Sequence, residues 1–155
     1  LEDVRSALNN LLQFKFGRAL SDVGRVAVNS TAGLLGFLDV ASNVNLPRYN
    51  EDFGQTLGAW GVGSGPYVVL PFFGPSSARD GVGVAVDWFT DPVILIDNEW
   101  LRWGMRGLDI VDTRADLLYA SRVLEQAALD PYSFIRDAYL QRRQDLVYDG
   151  NPPAE

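Results

Sequence analysis

Asp80 and Asp87, seven residues apart, and a second pair at Asp109 and Asp112 are the groups best spaced for chemistry in this sequence. On a helix a separation of seven places both side chains on one face, two turns apart. Such carboxylates can do acid–base work, put polar groups on the wall of an otherwise apolar channel, or simply face water. Solvation is the plainest of the three, and the channel wall is the sharper use. Arg102, Arg106 and Asp109 fall on one stripe at i, i+4, i+7. They offer an ordinary ion pair or, through the guanidinium fork, an anchor for a headgroup phosphate. Most other site chemistry is excluded by composition. The 155 residues include no histidine and no cysteine. Disulfides, Cys/His metal sites, thiol nucleophiles and a Ser-His-Asp triad are therefore out of reach. A net charge of −7 argues against a general nucleic-acid binder.

A glycine-rich segment, DFGQTLGAWGVGSGPYVVLPFFGPSSARD (52–80), is the next candidate. It is no phosphate loop, because no Gly-Lys-Ser/Thr follows and Lys15 is the only lysine. Nor is it a dinucleotide fingerprint, since Pro66 stands where the third glycine belongs. A structural turn is the plain reading. The aromatics add to it. Trp60, Trp88, Trp100 and Trp103 all lie in the central third, with Phe53, Tyr67, Phe72, Phe73 and Phe89. Aromatics commonly build a core, but tryptophan also concentrates at the bilayer interface. Flexible backbone beside such a belt suits a moving element that touches something apolar.

The elements that must position these groups read as helices. Val4, Ala7, Leu8, Leu11 and Leu12 share one face of a helix over 3–13. Phe16, Ala19, Leu20, Val23 and Ala27 share one face of the next, with Arg18, Asp22 and Arg25 opposite. A break at 29–33 precedes a short helix over 34–44, and Asn50 is the expected cap of a helix through Gln55 and Leu57. The segment PYVVLPFF has strand character, but Pro66 and Pro71 make it a hairpin-like excursion rather than part of a sheet. Ser77, with Asp80 three residues on, resembles a capping box. Asp91-Pro92 and Asp130-Pro131 are helix starts, opening a long helix over about 93–127 and a last one over about 131–148. Within that last helix, SFIRDAYLQRRQD reads as amphipathic with a basic, solvated face. The expectation is an all-α single domain of six to eight helices over 1–148, with an irregular central loop and a flexible tail, 149–155. No run of about 18 apolar residues is present, so no simple membrane-crossing helix is expected. The opening LEDVRSALNNLLQ reads as the interior of a longer protein.

Three stretches, NSTAGLLGFLDVA (29–41), the glycine-rich segment 52–80 and DPYSFIRDAYLQRR (130–143), stand in the order and spacing of the MlaA (VacJ) lipoproteins, which the chain resembles over nearly its whole length. That resemblance implies an all-helical ring in the periplasmic leaflet of the outer membrane. Through its amphipathic channel, mislocalised outer-leaflet phospholipid would pass to the periplasmic carrier MlaC. It implies association with trimeric outer-membrane porins, phospholipid as the only ligand, no cofactor and no enzymatic activity. By the same resemblance, Phe53 to about Tyr67, including Trp60, is a hairpin-like loop that controls the channel, with Gly61 and Gly63 as hinges. Pro71 and Phe72 face lipid, Asp80 and Asp87 follow near the channel, and Arg106 lines its opposite side. Two features depart from the family. The lipidated cysteine lies outside this sequence, and Gly81 and Val84 occupy positions acidic in some relatives. A non-conducting scaffold that docks on a porin is the competing reading, and a carboxylate lipid hydrolase is a third.

Overall fold

The computed structural model describes residues 2–33, 38–127 and 130–153. Their chain order is α1 (Glu2–Leu12), α2 (Phe16–Thr31), α3 (Phe53–Ala59), a hairpin of β1 (Tyr67–Leu70) and β2 (Gly74–Ser77), α4 (Ala78–Thr90), α5 (Glu99–Ala127) and α6 (Pro131–Val147). Single 3-10 turns at Ala41–Val44 and Pro92–Leu95 complete it. The all-helical class expected from the sequence holds, and the two-stranded hairpin is the only sheet among the described residues. α1 packs on α2 and α3 on α4. Phe14, at φ 60, turns the chain between the first pair.

Caps set the helix starts. Ser77 accepts the Asp80 N–H at 3.2 Å, as its spacing predicts. Asp130 caps α6 through the Tyr132 and Ser133 N–H groups. At α3 the cap is Asp52, not Asn50: its Oδ1 accepts the Gln55 N–H at 2.8 Å. The Asn50 carbonyl instead receives the Gln55 side chain. Asp91 caps only the 3-10 turn, because Ile96 is extended at ψ 114. The long helix therefore begins at Glu99, six residues later than the sequence predicts, and runs unbroken past Gly104, Gly107 and Thr113. The helix expected over 34–44 falls partly outside the described residues, and its end is the turn at Ala41–Val44.

The hairpin pairs antiparallel, Tyr67 opposite Ser77 and Leu70 opposite Gly74. Both strands are edges, which is why Pro75 is tolerated opposite Val69. The hairpin thus occupies 67–77, whereas the first half of the expected 53–67 loop is helix α3.

The polarity of the interior is the reverse of an ordinary soluble core. Among the described residues five apolar side chains are buried, three of them alanines, against twelve polar or charged ones. The largest fully buried side chains are Arg25, Gln55 and Asn10. Helical periodicity is present, but its faces are turned. α1 buries Ser6, Ala7, Asn9 and Asn10 and exposes Leu8, Leu11 and Leu12. α2 buries Ala19, Asp22 and Arg25, while Phe16, Leu20 and Val23 face outward. α4 buries Asp80, Gly83 and Asp87 and exposes Val82 and Phe89. Scattered exposed leucines are normal on soluble proteins; a polar interior combined with a broad apolar exterior is not.

The interior is tied by hydrogen bonds, as burial of polar groups requires. Asp22 Oδ2 accepts from Ser6 Oγ at 2.8 Å and from Asn10 Nδ2 at 2.9 Å. Arg25 forks onto both Asp39 oxygens at 2.9 Å and reaches Asp3 at 3.3 Å. Asp149, the first residue of the expected tail, accepts from Lys15 and Arg18. Asp22 Oδ1 is buried without a hydrogen-bond partner among the described residues, and burial raises its carboxyl above the ordinary value of 3.8. A raised folded-state value means the folded chain takes up the proton first. Stability contributed by Asp22 is therefore fully present below the unfolded value of 3.8 and is lost as pH rises through the raised folded value. Compared with Asp22→Asn by urea denaturation in mild detergent, the unaltered chain gains relative stability between pH 7 and pH 4. A difference that does not move with pH would show that the Asp22 carboxyl is not shifted upward by folding.

Candidate functional site: a charged interior cleft

α3, α4 and α6 meet at Arg143. Its guanidinium bridges two carboxylates, with Nη1 and Nη2 on Asp52 at 2.6 and 2.9 Å and Nε and Nη2 on Asp80 at 3.0 and 2.9 Å. The planar fork of arginine fits such double engagement. Tyr139, one turn earlier on α6, donates its hydroxyl to Asp80 Oδ2 at 2.8 Å. Arg79 adds a bond to Asp80 Oδ1 at 3.0 Å and reaches the Val62 carbonyl at 3.3 Å. Burial alone would raise the Asp52 and Asp80 carboxyls, but Arg143 outweighs it and both lie below 3.8. Burial and the bond to Asp80 raise the Tyr139 phenol. This group of charges is locked in its ionised form, which suits a fixed polar wall and not proton transfer.

Asp87 sits two turns further along α4 on the same face, 7% exposed. It accepts the Phe53 N–H at 3.0 Å and Asn9 Nδ2 at 3.4 Å. Burial raises its carboxyl, opposed by the Phe53 bond and the field of Arg5. The face predicted for Asp80 and Asp87 is thus real, and both point inward. Together with Asp52, Tyr139, Arg143 and Val84 they line a cleft of about 280 Å³. That cleft runs into a larger one of about 560 Å³ between α4, α5 and the start of α1; Glu2, Arg5, Trp88, Asp91 and Asp109 border both.

Arg106, expected on the channel's far side, lines the larger cleft. Its guanidinium lies 4.2 Å over the Trp88 ring and donates to the Trp88 carbonyl at 2.9 Å. Arg102 pairs with Glu99 at 3.4 Å, so the three-residue stripe separates into different partners. Asp109 borders the cleft, and burial raises its carboxyl.

The remaining candidates sit elsewhere. Trp60 closes α3, half exposed, with its indole N–H on the Leu12 carbonyl at 3.1 Å. Gly61, at φ 90, takes a backbone angle that favours glycine. Gly61 and Gly63 line a third cavity of about 400 Å³, which Arg79 and Arg143 also border. Tyr67 stacks edge-on with Tyr132 and Tyr139. Pro71 and Phe72 form the exposed hairpin tip, Phe72 at φ 69.

Reading α6 as a solvated basic face missed Arg143, the centre of the site. The signal was the four-residue step from Tyr139 to Arg143, which puts both on one stripe. Asp52 was missed too, although it stands beside Gly54, whose missing side chain leaves room for the guanidinium: a Cβ there would lie 2.8 Å from Arg143 Nη2.

Comparison with known proteins agrees with this architecture. The MlaA lipoprotein family model matches residues 1–146. The chain is 39% identical to the intermembrane phospholipid transport system lipoprotein MlaA of Escherichia coli (strain K12), over 97% of this chain and 60% of that protein. The Haemophilus influenzae protein of the same name is 34% identical, over 97% of this chain and 61% of its own length. An uncharacterized protein of Rickettsia bellii is 32% identical, over 92% of this chain and 56% of its own. The chain thus spans somewhat over half the length of these curated relatives. A solved structure, from work on the structural basis for maintenance of bacterial outer membrane lipid asymmetry, superposes with a TM-score of 0.75 at 33% identity, covering 94% of this chain and 74% of that one. The match of the family model to nearly the full chain, with the relatives' identities behind it, shows that this protein belongs to the MlaA lipoprotein family.

Proposed function

We propose that the protein handles phospholipid for outer-membrane lipid asymmetry, seated in the periplasmic leaflet with its apolar exterior in hydrocarbon and its polar interior open to headgroups. The observation that carries this is the inverted polarity: Asp80, Asp87 and Arg25 inside, Phe16, Leu20, Phe89 and Trp100 outside. In water that arrangement opposes the hydrophobic effect. In hydrocarbon it is favourable, because helices satisfy their own backbone groups. No described helix is long and apolar enough to cross a membrane. The apolar-faced α2 has 16 residues, about 24 Å at about 1.5 Å per residue, short of a hydrocarbon core of about 30 Å. A helix of that length does not span the hydrocarbon core.

The cleft supplies what a headgroup needs on its way. An unpaired charge in a low-dielectric medium is heavily penalised, and fixed polar groups such as those around Asp80 and Asp87 remove the penalty while acyl chains stay in the membrane. No covalent step is required. Phospholipid leaving the cleft would pass to the periplasmic carrier MlaC, and a trimeric porin would hold the protein in place. The glycine loop around Gly61 and Gly63 borders the Arg79–Arg143 pair, so its movement would act on the cleft through those arginines.

Photocrosslinking in intact cells with the full-length protein tests this reading. A photoreactive residue at Val84, in the cleft, and another at Leu20, on the outer face, are both expected to yield phospholipid adducts. Adducts at Leu20 with none at Val84 would leave an embedded scaffold and remove conduction. Porin adducts alone at both sites would favour docking without lipid handling.

A further inference from the structure

Arg5 has no counterpart in the expectations from sequence, and its charge is felt by the Asp87 and Asp109 carboxyls without a direct hydrogen bond to either. It sits where the two clefts meet. Its Nε is buried with no hydrogen-bond partner, and its guanidinium makes no ion pair, among the described residues. A buried guanidinium N–H without an acceptor costs free energy unless a ligand supplies one. The other buried guanidinium groups among the described residues are engaged: Arg25 with Asp39, Arg79 with Asp80, Arg143 with Asp52 and Asp80.

The larger cleft around Arg5 is two-sided in character. Arg5 and Arg106 supply positive charge, and Glu2, Asp91, Asp109 and Asp112 supply negative charge on the same lining. The acids are close enough to feel each other: Glu2, Asp91 and Asp112 all push the Asp109 carboxyl upward. Val93, Met105 and Leu108 make the rest of the wall apolar. With four carboxylates to two guanidinium groups, a purely anionic headgroup meets net repulsion. A dipolar one, with phosphate and amine a few ångströms apart, finds both complements.

We propose that this cleft is a headgroup site for zwitterionic phospholipids bearing a primary ammonium, with the phosphate on Arg5 and the ammonium among Asp109 and its acidic neighbours. A primary ammonium donates three hydrogen bonds and suits carboxylates. A quaternary ammonium prefers an aromatic face, and the Trp88 face is already covered by Arg106. The inference rests on the lipid-handling reading above and adds a selectivity to it.

The test uses full-length protein taken up from vesicles of equal phosphatidylethanolamine, phosphatidylcholine and phosphatidylglycerol with matched acyl chains, with retained lipid measured by native mass spectrometry. Phosphatidylethanolamine is expected to be enriched about tenfold over the other two, the scale of one charge-assisted hydrogen bond. Arg5→Gln is expected to lower retention of all three by about tenfold, because each carries the phosphate, and Arg5→Lys to restore much of it. Asp109→Asn is expected to lower phosphatidylethanolamine retention to the level of the other two lipids while leaving theirs in place. The hydrogen bond described at Arg5 is accepted by its backbone carbonyl, so its substitution removes no described side-chain hydrogen bond, and circular dichroism checks that the fold is kept. Equal retention of the three lipids overturns the selectivity while sparing lipid handling. Selective retention unchanged in Arg5→Gln overturns the site. Retention of no lipid by any chain overturns the lipid-handling reading itself.

Discussion

Arg143→Met is expected to destabilise the folded protein by about 3–5 kcal/mol, the cost of breaking a buried ion pair from one side. The substitution keeps the bulk of the side chain and removes only its charge and its donors. Asp80, 4% exposed, then keeps Tyr139 and Arg79 as partners, while Asp52 loses both of its guanidinium bonds. Two carboxylates held below 3.8 by Arg143 move back up as that field disappears. The sign with pH follows. Their depressed values contribute stability that is present above about 3.8 and is lost as pH falls through the folded values. The Arg143→Met penalty is therefore largest near neutrality and shrinks in acid. Replacing all three charges, as Arg143→Met with Asp52→Asn and Asp80→Asn, is expected to recover most of the loss, because neutral groups carry a far smaller desolvation penalty. Urea denaturation in mild detergent, followed by circular dichroism at pH 7 and pH 4, measures both effects. A single variant as stable as the unaltered chain would mean that Arg143 does not hold the three helices together.

How far the sequence could be read divides along a physical line. Features that depend on a few neighbouring residues were legible. Ser77 and Asp130 cap the helices they were expected to cap, because capping is decided within three residues. The helical periods of α1 and α2, and the shared face of Asp80 and Asp87 on α4, were legible for the same reason. What periodicity does not carry is direction. Leu8, Leu11 and Leu12 mark a face in either solvent, and only the environment decides whether that face is inside. In α2 the period separates Phe16, Leu20 and Val23 from Asp22 and Arg25, and the charged side is the buried one. The exposed tryptophans were the local sign of the reversal, since Trp100 is 90% exposed at the start of α5. At the site, Asp80 and Asp87 were found because both lie on one helix. Arg143 was not, because its partners lie 63 and 91 residues away along the chain.

The glycines of the central segment are explained by a second large effect, expected in Gly83→Ala. A Cβ at residue 83 would lie 2.4 Å from the Gly54 nitrogen and 2.7 Å from the Gly54 Cα. Both are backbone atoms, so no side-chain rotation relieves the clash and α3 has to move off α4. Overpacking of this kind costs about 1–3 kcal/mol, and more where backbone opposes backbone. The displacement also carries function. α3 begins at Asp52, and the Asp87 carboxylate accepts the Phe53 N–H at 3.0 Å, so a shifted α3 pulls at both ends of the polar wall. Gly81→Ala, two residues away on the same helix, is the control. Its nearest neighbours are the Leu70 methyls at 3.9 Å, an ordinary contact. There the only remaining effect is helix propensity, expected to stabilise by about 0.8–1 kcal/mol. The two substitutions are chemically identical and are expected to have opposite signs in the same denaturation experiment. Equal effects would mean that α3 and α4 do not approach through glycine. Gly83 faces Gly54 so that α3 and α4 pack at backbone distance, while flexibility belongs to positions such as Gly61, at φ 90.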